Sequence, residues 1–187
     1  MPGFTKKAIK TTFIKLLGER PLSQITVKDI VETCGINRNS FYYHFNDIPS
    51  LIDEIINETV DFIAKEYRPS RSIRRSIEVT VNFSLEHKKE VLHLFNSSSK
   101  DVVEYYLSKL LHRVACERVD HLCLDSDISD TDRSLIVGIY ENECYGLLTN
   151  WLKGGMTDDV MARFDRLFEI CNGMTEEAVR RCDGKKT

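Results

Sequence analysis

Little in the composition of this chain interrupts helices. Only four prolines and nine glycines occur among its 187 residues. Apolar residues recur at three- and four-residue spacing over long stretches, without the alternation that strands show. The chain also lacks an internal repeat and a low-complexity tract. We therefore expect an all-α fold, in a length that suits a small helical module joined to a larger one.

Several classes of protein have no signature here. The chain contains no GxSxG, P-loop or HExxH motif, so we expect neither an enzyme nor a cofactor. No run of about 18 apolar residues occurs, and the first residues lack the apolar core and cleavage site of a signal peptide. We therefore expect no membrane span, no membrane partner and a cytoplasmic location. The six cysteines form no CxxC pair, which favours reduced thiols, most of them buried on predicted helices.

Two short sequence patterns resemble metal-binding motifs, but neither has all the residues that a metal site needs. His112, Cys116 and Asp120 fall at i, i+4 and i+8, but nothing supplies a fourth ligand and the helix turns past the shared face. The run Asp125–Asp127–Ser129 begins like a calcium loop, yet its sixth position is not glycine and its twelfth is not glutamate. We therefore expect no bound metal.

Charge is unevenly distributed along the chain. The overall formal charge is −3, whereas residues 1–46 carry seven basic and three acidic side chains, which leaves +4 there and −7 elsewhere. Residues 1–46, called the head below, are therefore basic, and the rest of the chain is acidic. This asymmetry indicates that only the head faces a polyanion.

The head has the pattern of short helices joined by a tight turn. A first helix is expected over residues 5–17. Thr26 is a helix N-cap with an acidic residue three positions later, Gly35 suits a turn with positive φ, and Asn37 caps a helix over 38–43. Helix, tight turn with glycine and second short helix is the helix-turn-helix layout.

The remainder is expected to be helical as well. We place a helix-turn-helix domain at 1–46 and a C-terminal domain at 47–187, with a connecting helix over 47–66. The further helices are expected at 71–86, 88–96, 101–124, 130–153 and 157–182, the last capped by Thr157.

The segment Ile25–Phe45 carries the information about function. Phe41 and Phe45 lie four residues apart and are expected to face the core, which turns donors and rings outward. A major groove about 12 Å wide admits one α-helix, so such a face suits the reading of DNA bases.

In residue type and spacing, the run from Thr26 through Gly35 to Phe-Tyr-Tyr-His-Phe resembles the signature of the TetR family of transcriptional regulators, over residues 5 to about 51. The resemblance implies that Arg38, Asn39 and Tyr43 read bases. It places phosphate contacts at Thr26 and Lys28, where the second helix begins, and at Tyr42 and His44, while Ser40 lies beside a phosphate or is a small packing residue. Ile48 departs from the family pattern, which usually has a lysine there, so a phosphate contact would depend on backbone N–H groups. The implied DNA contacts are Thr26, Lys28, Arg38, Asn39, Ser40, Tyr42, Tyr43 and His44.

The resemblance further implies a homodimer, a palindromic double-stranded operator and a C-terminal half that senses a small-molecule effector. The candidate dimer interface is Ile139, Leu147, Trp151, Phe164 and Phe168; alternatively, these helices pack only within one subunit. The candidate pocket is Phe83, His87, Phe95, Tyr105, Tyr106 and Leu110; alternatively, these side chains are core.

The function expected from this resemblance is a repressor that an effector releases from DNA. One alternative is an activator or ligand-independent regulator that works through a protein partner. A weaker alternative is a metal- or redox-sensing helical protein.

Overall fold

The computed structural model describes residues 2–67, 72–124 and 126–184, apart from the side chains of residues 2, 3, 64, 66 and 67. All α-helices and the one 3-10 turn in these ranges agree with the all-α expectation, since no strand occurs there. The helices are α1 Pro2–Glu19, α2 Val27–Cys34, α3 Arg38–His44, α4 Ile48–Tyr67, α5 Ile73–Glu86, α6 Lys88–Phe95, α7 Lys100–Leu122, α8 Asp130–Lys153, α9 Val160–Ile170 and α10 Met174–Cys182.

The predicted last helix is wrong, because residues 157–182 form two helices instead of one. Asp159 caps α9 by accepting a hydrogen bond from the Ala162 N–H at 3.0 Å, whereas the Thr157 hydroxyl donates to the Gly154 carbonyl. Gly173 has φ +78°, which ends the helical path before α10. The Asn-Gly pair at 172–173 is a turn signal that points to this break.

The described residues form two compact units. The first comprises Met1–Asp61 and Ser84–Tyr106, and the second comprises Phe62–Phe83 and Leu107–Thr187. The first unit extends beyond the predicted domain 1–46, because α4 and α6 contribute to it. The functional boundary after residue 46 stays a prediction.

The core of the first unit is built where α1 to α4 meet. Leu51 and Ile52 of α4 are 0% and 1% exposed within this core. The Nδ1 of His93 on α6 lies 2.6 Å from the Leu17 carbonyl oxygen, which can only accept, so Nδ1 carries the proton. The buried residues of this core are Ile9, Phe13, Leu16, Leu17, Ile25, Ile30, Val31, Phe41, Phe45, Leu51 and Ile52.

The second unit has its own core. Ala115 and Val119 of α7 pack with Ile136 and Val137 of α8 and with Val179 of α10. The unit therefore joins α7, α8 and α10 through buried aliphatic side chains.

No helix in the described part of the chain combines the length and the apolar character that crossing a membrane requires.

Candidate nucleic-acid interface

The start of α2 is held by a reciprocal cap. The Asp29 backbone N–H donates to the Thr26 hydroxyl oxygen at 3.3 Å, and the Thr26 N–H donates to the Asp29 carboxylate at 2.8 Å. Hydrogen bonds from the Thr26 side chain and backbone, together with the charge of Arg20, lower the pKa of Asp29 below its usual value. The carboxylate therefore stays ionised at the helix start, where the helix dipole favours negative charge.

The turn between α2 and α3 depends on a left-handed residue. Gly35 has φ +69°, a conformation that side chains with a Cβ rarely adopt. The Ile36 N–H donates to the Val31 carbonyl at 3.0 Å and closes the end of α2. Asn37 then caps α3, since its side-chain oxygen accepts from the Ser40 N–H at 2.8 Å. The turn and both caps agree with the local sequence pattern.

The two sides of α3 differ sharply in burial. Phe41 and Phe45 are 0% and 3% exposed, and they anchor the helix in the core of the first unit. Tyr42 and Tyr43 are 54% and 77% exposed.

The predicted base-reading residues share the exposed side of α3. At about 100° per residue, Arg38, Tyr42, Asn39 and Tyr43 span an arc of roughly 140°. Arg38 and Asn39 are exposed along with the two tyrosines. His44 is half-buried and lies about 100° beyond this arc, with its ring centroid 5.0 Å from that of Tyr43. The helix therefore offers two rings, a guanidinium and an amide on one surface.

Two predicted phosphate-contacting hydroxyls are engaged within the chain. The Thr26 hydroxyl donates to the Asp29 carboxylate at 2.6 Å, and the Ser40 hydroxyl donates to the Asn37 side-chain oxygen at 3.1 Å. Each hydroxyl has a single proton to donate. In this structure both side chains therefore hold helix starts together.

Part of the positive charge counted in the head is neutralised by α4. The Lys6 ammonium lies 2.7 Å from the Glu54 carboxylate, and Lys10 is paired with both Glu54 and Glu58. Although partial burial acts to lower it, hydrogen bonds to these two carboxylates raise the pKa of Lys10. Because both glutamates lie beyond residue 46, the charge count for 1–46 did not include them.

Other cations remain available to a polyanion. Within the described residues, Lys7, Lys15 and Arg38 form no ion pair and are exposed. The Lys28 side chain is 63% exposed and lies 3.8 Å from Glu32, a distance at which a solvent-exposed pair contributes little. Lys7 and Lys15 are not among the DNA contacts that the family resemblance implies, although their position off the apolar face of α1 is a sequence signal for an exposed cation.

The start of α4 carries its own carboxylate. The Asp47 side chain accepts from the Ser50 N–H at 2.8 Å, and the Ser50 hydroxyl accepts from the Asp47 N–H at 3.1 Å. Ile48 is half-buried and packs against the first core. Since the carboxylate already occupies a helix N–H group, this terminus is less favourable for a phosphate than an uncharged cap would be.

The predicted pocket residues divide between the two units. Phe95 and Tyr106 in the first unit are 2% and 6% exposed, Leu110 in the second is 3% exposed, and Tyr105 is 61% exposed. Burial, followed by a 2.9 Å hydrogen bond from its hydroxyl to Asp53, raises the pKa of Tyr106 to about 12. Phe83 and His87 are half-buried.

A cavity of about 360 Å³ lies elsewhere, within the second unit, and none of the predicted pocket residues lines it. Arg74 and Arg118 contribute to its wall and are paired with Asp165 at 2.6 Å and Glu176 at 3.2 Å. Phe168, predicted for the dimer interface, also lines this cavity.

Two residues proposed for the dimer interface lie in the core of their own chain. Trp151 is 2% exposed and donates its ring N–H to the Asp158 carbonyl, and Phe164 is 0% exposed. Side chains buried in this way have almost no surface left for a partner subunit. Ile139 is 59% exposed, and Leu147 and Phe168 are half-buried.

The chain matches two family models. One, described as bacterial regulatory proteins of the tetR family, matches residues 13–55, and the other, described as a transcriptional regulator C-terminal region, matches residues 72–173.

Curated relatives and a solved structure are also similar. The HTH-type transcriptional repressor KstR2 of Rhodococcus jostii is 29% identical over 126 residues, which cover 67% of this chain and 58% of that protein. The HTH-type transcriptional regulator TtgR of Pseudomonas putida is 30% identical over 108 residues, covering 56% of this chain and 47% of TtgR. The chain thus spans about half the length of these relatives.

The dihydroxyacetone kinase operon activator DhaS has the same fold, with a TM-score of 0.70 at 16% identity over 96% of this chain and 98% of its own. The C-terminal family match covers more than half of the sequence and adds to the helix-turn-helix match at the N-terminus. This chain belongs to the TetR family of transcriptional regulators.

Proposed function

We propose that the chain regulates transcription by binding a palindromic operator as a homodimer, with α3 as the helix that reads bases. The observation that carries the proposal is the two-sided character of α3. Phe41 and Phe45 anchor one side in the core, while Tyr42 and Tyr43 remain more than half exposed on the other. Large exposed rings on a short, well-anchored helix are typical of a surface that meets a partner.

The chemistry of the exposed face suits base edges in a major groove. A guanidinium can donate two hydrogen bonds to guanine, an amide can pair with adenine, and a tyrosine ring can pack on a thymine methyl group. We assign these roles to Arg38, Asn39 and Tyr43. The caps at Thr26 and Asn37 support this assignment, because they fix the angle at which α3 leaves the turn.

Phosphate contacts would flank this reading face. Lys28 is an exposed cation in the first turn of α2, Tyr42 lies within the exposed side of α3, and His44 is a half-buried residue in the last turn of that helix. Thr26 and Ser40 would support DNA binding by stabilising the starts of α2 and α3. Alternatively, their hydroxyls would donate to a phosphate in place of the side chains that now accept from them. These contacts would set the register on the duplex without selecting a sequence.

Dimerisation follows from the size of the reading element. One seven-residue helix contacts too few bases to be selective, whereas two copies about one DNA turn apart, roughly 34 Å, read a palindrome. Ile139 on α8 is the most exposed of the predicted interface residues. We propose that Ile139, Leu147 and Phe168 contribute to the contact between subunits.

Regulation is proposed to work by population shift. An effector bound in the C-terminal half would favour a dimer in which the two α3 helices no longer match the operator, so DNA affinity would fall. Repression is the default because the family resemblance implies it, and the relative KstR2 is named a repressor. We place such a regulator in the cytoplasm, where its DNA is.

A ligand-independent regulator is the second candidate. The burial of Phe95, Tyr106 and Leu110 favours it, because these predicted pocket walls behave as core residues. Such a protein would depend on a protein partner, or on its own concentration, for control.

The direct test is selection of bound DNA fragments from a genomic library with the purified full chain. We expect enrichment of a palindrome whose half-sites lie about one turn apart, and a complex containing two chains. The double variant Arg38→Ala/Tyr43→Ala is the matched control and should enrich no such motif. A wild-type protein that stays monomeric and binds no duplex at low salt would overturn the proposal.

A further inference from the structure

One thiol in the second unit lies beside a histidine and an arginine. The Sγ of Cys116 on α7 is 3.5 Å from the Nε2 of His112, one turn earlier on the same helix. The guanidinium of Arg133 on α8 donates to the Asp120 carboxylate at 2.7 Å, which is the main reason that the pKa of Arg133 is raised, and it also lies near the Cys116 sulfur. The sulfur therefore lies beside a potential proton acceptor and near a guanidinium that Asp120 holds in place.

The orientation of His112 is set from its other side. Its Nδ1 lies 2.9 Å from a carboxylate oxygen of Glu141, which can only accept, so Nδ1 carries the proton and Nε2 presents its lone pair to Cys116. The second oxygen of Glu141 accepts a 2.7 Å hydrogen bond from the Ser108 hydroxyl, which holds the carboxylate in place. Nucleophile, base and orienting acid thus follow one another as in enzymes that activate a thiol.

The same geometry argues against a metal at this place. Cys116 does lie beside His112, one turn apart on α7, as their spacing of four indicates. Arg133 lies against both Cys116 and Asp120, however, and a guanidinium occupies the place that a cation would need. In the described part of the chain, no group of three metal-binding side chains is assembled.

The other cysteines differ from Cys116 in their surroundings. Cys144 is 4% exposed, and burial raises its pKa to about 12, so its thiol stays neutral. Burial, with a contribution from Asp120, also raises the pKa of Cys123. Cys123 follows the last residue of α7, seven positions after Cys116, which is about 10.5 Å at 1.5 Å per residue and too long for a disulfide between the two. Cys116 therefore cannot form a disulfide with Cys123 along the same helix.

We propose that Cys116 is a covalent modification site for soft carbon electrophiles of the α,β-unsaturated carbonyl class. The thiol proton passes to Nε2 of His112 while the sulfur electron pair forms a bond to the β-carbon. The alkene electron pair shifts towards the carbonyl oxygen, and the imidazolium returns the proton to the α-carbon. The net reaction adds S–H across the double bond and consumes no oxidant or reductant.

The cluster is open to small reagents and lies away from the proposed dimer contact. The His112 side chain is 59% exposed, and Cys116 is half-buried. On α8, Glu141 is two residues from Ile139, so the two side chains point about 160° apart around the helix. A dimer that forms through Ile139 would therefore leave the thiol accessible.

The test uses the full chain with N-ethylmaleimide as the electrophile, and measures the labelling rate of each cysteine by peptide mass spectrometry. We expect Cys116 to react at least about tenfold faster than Cys34 and Cys182, in line with the effect of a positioned base, with Cys144 slowest. His112→Ala should reduce the Cys116 rate about tenfold or more, and added imidazole should restore part of it. This rescue distinguishes proton transfer from a structural effect.

Two further variants complete the test. Glu141→Gln should lower the Cys116 rate less than His112→Ala does, because Glu141 positions the base and does not accept the thiol proton. His121→Ala, which removes another exposed histidine of α7, should leave the rate unchanged. A Cys116 rate no higher than that of Cys182, or a His112→Ala rate within twofold of wild type at equal helix content and melting temperature, overturns the proposal.

Discussion

Arg38 is the side chain whose loss should most directly change which DNA sequence is bound. It is exposed on α3 and forms no ion pair among the described residues, so its five N–H donors are available to a base. Arg38→Ala should cost about 1–3 kcal/mol on the preferred duplex and far less on duplexes altered at the contacted base. Titrations of both duplexes measure that difference.

Lys28, which lies on α2 and not on the exposed face of α3, provides the comparison for the effect of Arg38→Ala on DNA binding. Lys28→Ala should weaken binding to all duplexes alike and lower the slope of log affinity against log salt by about one unit. Lys153→Ala, a change of the same kind on α8, should leave DNA binding unaffected. If Arg38→Ala behaves as Lys28→Ala does, α3 reads no base through this side chain.

Asp29 makes stability depend on pH. Its pKa is lowered in the folded chain by the bonds from Thr26 and by Arg20. A carboxyl whose folded pKa lies below its unfolded value stabilises the fold fully above the unfolded value, near 3.8, and loses that contribution as pH falls through the folded value. Asp29→Asn should therefore lose less stability than wild type on acidification from about pH 5 to about pH 2. Urea unfolding at both pH values measures this, and parallel losses would contradict it.

The carboxylate of Asp47, which caps the start of α4, is expected to weaken DNA binding because it repels the phosphates. Asn is as good an N-cap as Asp, so Asp47→Asn should keep the bond from the Ser50 N–H and remove one negative charge. We expect an affinity gain of about threefold at low salt, the same for all duplexes and smaller as salt rises.

The control for Asp47 is a similar change in the second unit. Asp130→Asn removes a charge from the first turn of α8 and should not alter DNA affinity. Equal effects of the two variants would mean that only total charge matters, and that the start of α4 has no special position at the duplex.

The turn between α2 and α3 should tolerate only residues that adopt positive φ. A Cβ at Gly35 would meet no atom within 4 Å, so the cost of a substitution is conformational and not steric crowding. Gly35→Ala should reduce the free energy of unfolding by about 1–2 kcal/mol. Gly35→Asn should reduce it less, because Asn adopts the left-handed region more readily. Urea unfolding compares the two, and equal losses would contradict the explanation.

The dimer contact is a property of the whole molecule. Ile139 is 59% exposed, and Leu135, one turn earlier on α8, is 64% exposed, so a carboxylate introduced at 139 would be buried if subunits meet there. Ile139→Asp should convert the dimer to monomers in sedimentation and reduce operator affinity at least about tenfold, because paired reading is lost. Leu85→Asp, at a position 47% exposed on α5, should do neither. A dimer that survives Ile139→Asp would place the interface elsewhere.

Much of the reading head was predictable from sequence because its signals are local. Thr26 and Asn37 cap helices through bonds that reach three residues along the chain, and Gly35 adopts the left-handed conformation that its turn requires. Phe41 and Phe45 face the core as their spacing of four indicates. The break between α9 and α10 also has a local signal, the Asn-Gly pair at 172–173, which the prediction of one helix over 157–182 did not use.

What the sequence alone determined is the all-α class, most helix starts and the family, since these depend on bonds within one turn and on residue order in a short segment. Tertiary structure decided which distant faces meet. It paired Lys6 and Lys10 with α4, buried Trp151 and Phe164 in their own chain, and brought Glu141 and Arg133 to the two sides of the His112–Cys116 pair. Helical periodicity shows that a residue lies on an apolar or polar face, but the packing of whole helices selects the partner of that face, and no short stretch of sequence contains that information.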